Sequence, residues 1–157
     1  MAVAQREKRI ADLGLAAWIK MHGYQISKVE SNCVFFQVEN DQMIKEVEAL
    51  ETSYVNSEAC SYDSWLMSLK QMPVTDVNEC DPEIIVVEGL GPSAFLRHKG
   101  RWRLIGRPHH IKFAFYVPSN ELTEFNSLRV AWTNSDLRDF DAAMMAIKSL
   151  RVRNNRR

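Results

Sequence analysis

Hydrophobic positions recur along the chain in two rhythms, one helical and one of short β-rich runs. Leu15, Trp18, Ile19 and His22 fall at helical spacing, with Asp12 placed to cap the first turn and Gly23 to end the helix in a left-handed conformation. Two β-rich runs follow at 24–29 and 33–39, about a Glu-Ser-Asn turn. The stripe Met43 or Ile44, Val47, Leu50 and Tyr54 predicts a helix over 41–54. Another helix is predicted from Ser61 to Met72, stopped by Pro73.

Past residue 82 the succession returns. The β-branched run 84–87 predicts a strand, whereas its counterpart Arg9-Ile10-Ala11 is much weaker. A helix over 90–100 should close at Gly100, and strands over 102–106 and 111–117 should flank a turn at Arg107-Pro108-His109. Along the second of these strands, Ile111, Phe113, Phe115 and Val117 share one face, with His110, Lys112, Ala114 and Tyr116 on the other. Leu122, Phe125, Leu128 and Trp132 repeat the earlier helical stripe, and a last helix is expected from Asp139.

Aligning the halves makes the recurrence explicit. At a spacing of 77 residues, Leu13, Gly14, Ala17, Trp18, Ile19, Lys20 and Gly23 meet Leu90, Gly91, Ala94, Phe95, Leu96, Arg97 and Gly100. At a spacing of 78, Tyr54 to Ser57 matches Trp132 to Ser135, and Tyr62 to Lys70 matches Phe140 to Lys148. The expectation is an α+β protein of two tandem αββαα repeats with pseudo-twofold symmetry, each packing a small antiparallel hairpin against helices. The repeats are placed at 9–72 and 83–150, with a linker at 73–82 and a basic tail at 151–157. Copies of this size are small enough that docking adds materially to stability.

Composition narrows the class. At 46% apolar and 25% charged residues the chain suits a globular protein and excludes wholesale disorder. No window approaches about eighteen apolar residues, so no membrane span is expected, and the first residues lack the pattern of a secretory signal. Host cytoplasm, and the virion, are the expected locations. Cys33, Cys60 and Cys80 have no CxxC spacing and are not expected to form a disulfide framework. The neutral total hides an asymmetry: residues 1–78 carry 7 basic and 11 acidic side chains, residues 79–157 carry 13 and 9. Such a split favours association, between the halves or with a charged partner.

No constellation for chemistry emerges. There is no GxSxG, HExxH or GxxxxGK, and Gly89-Leu90-Gly91 lacks the third glycine and distal acid of a dinucleotide site. Adjacent His109 and His110 point to opposite faces of a strand and, with His98, make a poor metal set. Cys60 near Asp63 lacks the signature of a thiolate and base. Carboxylates at Glu46 and Glu48, or Asp139 and Asp141, suit solvated helix starts. Neither an enzyme, a metal site nor a cofactor is expected.

The strongest positive feature is basic. Arg97, Lys99, Arg101, Arg103, Arg107 and Lys112 lie around Trp102, and the tail adds Arg151, Arg153, Arg156 and Arg157. Strand alternation would set Arg101, Arg103 and Arg107 as a row of cations opposite Trp102 and Leu104, fit to neutralise the phosphates of a nucleic acid or to meet an acidic protein face.

The run DLGLAAWIKMHGY, the VFFQVE strand, the ETSYVNS helix end and the YDSWLMSLKQM helix together resemble a small domain family of unknown function, common in tailed phages and bacterial genomes. The likeness covers 9–72, and the second copy only in degenerate form, with Pro92-Ser93 in place of Leu15-Ala16. It implies a phage-type origin and carries over no catalytic residue. The expected function is a non-enzymatic interaction protein, a virion or assembly accessory component that binds other proteins, among them virion components or itself. The alternatives are a small nucleic-acid-binding regulator using residues 97–112, and an inhibitor of a host defence enzyme.

Overall fold

The computed structural model describes residues 6–155, with side chains to residue 151. The elements run β1 (Arg6–Ile10), α1 (Leu13–Met21), β2 (Ile26–Glu30), β3 (Cys33–Val38), α2 (Asp41–Val55) and α3 (Glu58–Gln71). Then come β4 (Ile84–Glu88), α4 (Leu90–Lys99), β5 (Arg103–His109), β6 (Lys112–Tyr116), a 3-10 turn at Ser119–Glu121, α5 (Leu122–Thr133) and α6 (Asp136–Asn155). The protein is α+β, with two three-stranded antiparallel sheets ordered β1-β3-β2 and β4-β6-β5.

Each succession therefore opens on a strand, and the expected hairpins are sheets of three strands. The charged run Arg6-Glu7-Lys8-Arg9 has little strand pattern of its own, yet it pairs with β3 over five unbroken rungs, from Arg6 opposite Val38 to Ile10 opposite Val34. A central partner strand settles such an edge where local propensity does not.

The compact units do not follow the 9–72 and 83–150 division. One comprises the described residues up to Cys60 together with those from Asp139, and the other Ser61–Arg138. Nearly all of α3 thus counts with β4 to α5, and nearly all of α6 with β1 to α2. The closing helices are exchanged, and the aromatic contacts record it reciprocally. Tyr62 of α3 stacks on Trp132 of α5 with centroids 5.6 Å apart, while Phe140 of α6 meets Tyr54 of α2 at 6.3 Å.

In the first unit, Asp12 caps α1 by accepting from the Leu15 amide at 2.9 Å, and Gly23 beyond the helix end takes φ +97°. The face of α1 turned to the core is Gly14, Ala16, Ala17 and Ile19, with Trp18 half-buried, so small residues rather than the predicted stripe bring the helix close. Val34, Phe36 and Val38 of β3 form the floor of the core with Ile10 and Val29. Asn40 caps α2 through the Met43 amide, and Val47 and Tyr54 are its buried residues.

In the second unit, Phe113 and Phe115 are fully buried beside Val87, and Phe115 and Trp102 pack on Phe125 of α5. Ile111, expected on that inner face, lies in the turn and is 47% exposed. The turn falls at His110-Ile111 rather than at Arg107-Pro108-His109, which continue β5. Gly100 closes α4 at φ −101°, outside the left-handed region; a side chain there would run into the Leu96 carbonyl and the Trp102 ring, each 2.7 Å from a Cβ. Segment 73–82 is a loop laid along β5, not a free tether. The Thr75 amide donates to the Arg107 carbonyl at 2.8 Å, and Val77 sits so close over Gly106 that a Cβ there would lie 2.5 Å away.

Both closing helices begin three residues before the predicted Ser61 and Asp139. Ser57 Oγ accepts from the Cys60 amide, and Ser135 Oγ from the Arg138 amide, each at 3.2 Å. Each of the two hydroxyls also donates back, to the Tyr54 and Trp132 carbonyls. Residues 151–155, read as a separate tail, are the end of α6. Among the described residues, no helix is long and apolar enough to cross a membrane.

Candidate functional site

The segment 97–112 passes from the last turn of α4 through β5 into β6, so its cations are set by a helix end, a loop and an edge strand in turn. At the helix end, Arg97 lays its guanidinium over the Trp65 ring at 4.6 Å and donates to the Trp102 carbonyl at 3.2 Å. Lys99, two residues further on, is exposed. In the loop, Arg101 bridges two carboxylates, Glu121 at the end of the 3-10 turn at 2.5 Å and Glu124 in the first turn of α5 at 2.8 Å. The hydrogen bond to Glu124, then that to Glu121, pushes the Arg101 pKa further up, and Arg101 in return holds the Glu124 carboxyl below its usual range.

Trp102, 4% exposed, turns inward and meets Phe125 in a T-shaped contact at 5.1 Å. On β5, Arg107 donates to the carbonyls of Lys70, Met72 and His110, at 3.2, 2.7 and 2.6 Å, while lying 5.2 Å from the Phe113 centroid. It thereby clips the end of α3 and the following loop to the sheet.

The predicted row Arg101, Arg103 and Arg107 is corrected by this geometry. Arg101 precedes the strand and is held by Glu121 and Glu124, and Arg107 is turned into backbone carbonyls, leaving Arg103 exposed on a rung with Tyr116. Lys112 is exposed across a rung from Glu88. Alternation along the strand located the backbone but not the acceptors, most of which come from elements 20 to 37 residues away. The two glutamates that hold Arg101 were missed; their only sequence signal is a pair of acids three apart at a helix start.

Of the tail, Arg151 donates to the Asn32 carbonyl at 3.2 Å within the first unit. The backbone of Arg153 is helical, and Arg156 and Arg157 lie outside the described residues. The structure thus brings together Arg97, Arg101 and Trp102, but places Arg151 in the other unit.

Around Arg101 lies a shallow cavity of about 410 Å³, lined by Lys99, Gly100, Trp102, Glu124 and Ser127. The first unit has one of about 430 Å³ at the corresponding loop, lined by His22, Gly23, Tyr24, Met43 and Glu46. There the Tyr24 hydroxyl donates to Glu46 at 2.7 Å, the place taken in the second unit by Arg101 on Glu124. This hydrogen bond favours the neutral phenol and raises the Tyr24 pKa.

His109 and His110 are edge to face at 5.8 Å, and among the described residues no group of three His, Cys, Asp or Glu side chains is arranged to hold a metal ion. Cys33, Cys60 and Cys80 carry thiols, and the buried Cys33 thiol accepts from Arg9 Nε at 3.0 Å. No family model, curated protein or solved structure matches the chain.

Proposed function

We propose that the chain is a non-enzymatic protein-binding component, of the virion or assembly-accessory kind implied by the sequence resemblance, and that its two successions of elements arose by duplication of one segment. The observation that supports protein over nucleic acid as partner is the engagement of Arg101 and Arg107, each by several of the chain's own carboxylate or carbonyl oxygens, with Arg97 held by the Trp102 carbonyl and over the Trp65 ring. A guanidinium already bound in this way has little left to exchange for a phosphate and releases few counterions. Meanwhile Ile111, Tyr116 and Val130 of the same unit are 47%, 41% and 64% exposed, apolar surface that gains on being covered by another protein.

The test is titration of labelled single- and double-stranded DNA and RNA with the full chain between about 50 and 200 mM salt. No binding at the lower concentration is expected. Binding that falls steeply with salt, and is lost on replacing Arg103 and Lys112 together by Ala, overturns the reading in favour of a nucleic-acid surface.

A further inference from the structure

Each three-stranded sheet has two open edges, where backbone N–H and C=O groups are left for another strand to pair with. Three of the four edge strands carry features that oppose such pairing. β1 is charged at four of its five positions, with Arg6 held by Asp41 at 2.6 Å and Lys8 by Glu51 at 3.5 Å. β2 has a bulge between Ile26 and Lys28, and Lys28 is paired with Glu7 and Glu30. β5 has two register shifts and Pro108, and the loop at Thr75 already bonds its backbone at Arg107.

β4 has none of these. Ile84, Ile85, Val86 and Val87 precede its one charge, Glu88, and its five rungs to β6 run without a shift. Ile84, Ile85 and Val86 are half-buried, and among the described residues no backbone hydrogen bond outside the β6 ladder reaches residues 85–88. Ile84 shares a rung with Tyr116, which is 41% exposed.

We propose that the open edge of β4 is a docking site for an extended segment of a partner protein, which adds as a fourth strand with an aliphatic centre and basic ends. The inference rests on the protein-binding reading above. Main-chain hydrogen bonds supply attachment in such strand addition, and the side chains at alternate positions supply selectivity. Charge selects the occupant. Acids stand at both ends of β4, Asp81 and Glu83 before it and Glu88 at its end. Antiparallel pairing of β4 with β4 of a second copy about Val86 sets Glu88 of one copy opposite Ile84 of the other, with Glu83 one position along on the other face, so each end of such a pair gathers acidic charge. A strand with lysine or arginine at its ends meets the same acids favourably.

The probe is a labelled peptide with a Val-Thr-Val-Ile centre and two lysines at each end, titrated into the full chain while amide hydrogen exchange is followed. Saturable binding is expected, with exchange slowed at 84–88 and unchanged in β1, β2 and β5. The same peptide with alternate backbone amides methylated, which lacks the donors of a strand, should not bind. Ile84→Lys, which blunts the edge with a like charge, should weaken binding at least about tenfold while circular dichroism and the unfolding midpoint stay as in the parent. No binding, equal binding of the methylated peptide, or protection elsewhere overturns the edge as the site. A dimer that protects 84–88 without peptide also overturns it, making the occupant a second copy. Loss of the protein-binding reading shows separately, as salt-dependent nucleic-acid binding in the titration above.

Discussion

β1 and β4 occupy the same place in their sheets, each paired antiparallel along the central strand over five rungs, yet their sequences treat that place in opposite ways. At a spacing of 77 residues, Glu7, Lys8 and Arg9 of β1 become Ile84, Ile85 and Val86 of β4. Only the last position is alike, with Ile10 and Val87 both buried against the core. The pairing is therefore carried by the backbone and the inner rung, and the remaining side chains are free to decide what the outer edge does. In β1 they reach to acids of α2 and close the edge to association; in β4 they leave a row of aliphatic groups. The same lesson holds at the loop after the first helix of each succession, tied to the next helix by a phenol at Tyr24 and by a guanidinium at Arg101.

The largest expected effect tests whether the two sheets are equal where they are alike. Phe36, on the rung of Lys8, and Phe115, on the rung of Ile85, are both fully buried. Truncation to Ala should cost about 3–5 kcal/mol at either site, read from denaturant unfolding. Because each half supplies the closing helix of the other, either substitution should shift a single transition; two separated transitions would break that expectation. Next come the caps at Ser57 and Ser135, whose hydrogen bonds match in partner and length. Replacing either by Ala should cost about 1 kcal/mol, and a clearly unequal pair of losses would show that the two helix starts differ in more than their caps.

The smallest effect sharpens the contrast between the two loop ties. Tyr24 has its folded pKa raised above the ordinary 10.0, so its contribution is present below that pH and is lost as pH rises through the folded value. Glu124 has its folded pKa lowered from 4.5, so its contribution is present above that pH and is lost as pH falls through the folded value. The first tie should fail in alkali and the second in acid. Phenolate absorbance compared with Tyr24→Phe should place the Tyr24 titration above 10.0, and carboxyl NMR should show Glu124 returning to the ordinary range in Arg101→Ala. Glu124 is exposed and Tyr24 half-buried, both close to solvent, so the accompanying changes in stability should be small.

How far the sequence could be read differs between these features. Asp12 and Gly23 mark the ends of α1, and the bounds of α2 fall within a residue of prediction, because caps and helical stripes act over three or four residues. The central strands were legible, β3 as a β-rich run and β6 from its aromatic alternation. β1 was not, since a strand four-fifths charged takes its conformation from its partner. The starts of α3 and α6 were misread because Ser57 and Ser135 sit in the turn left by the preceding helix, where the same hydroxyl serves both ends.

By itself, then, the sequence determined the α+β class and the inward placement of Phe113 and Phe115 on β6, consequences of spacing along a local backbone. Only the tertiary structure decided that α3 and α6 are exchanged, that the loop after α3 lies along β5, and that Arg101 and Arg107 are already engaged. Those outcomes depend on which distant acceptors and aromatic faces meet once the chain has folded: the Lys70 carbonyl for Arg107, Glu121 for Arg101 and Trp132 for Tyr62. A cation or an amphipathic helix has many acceptable partners, and its own sequence does not choose among them.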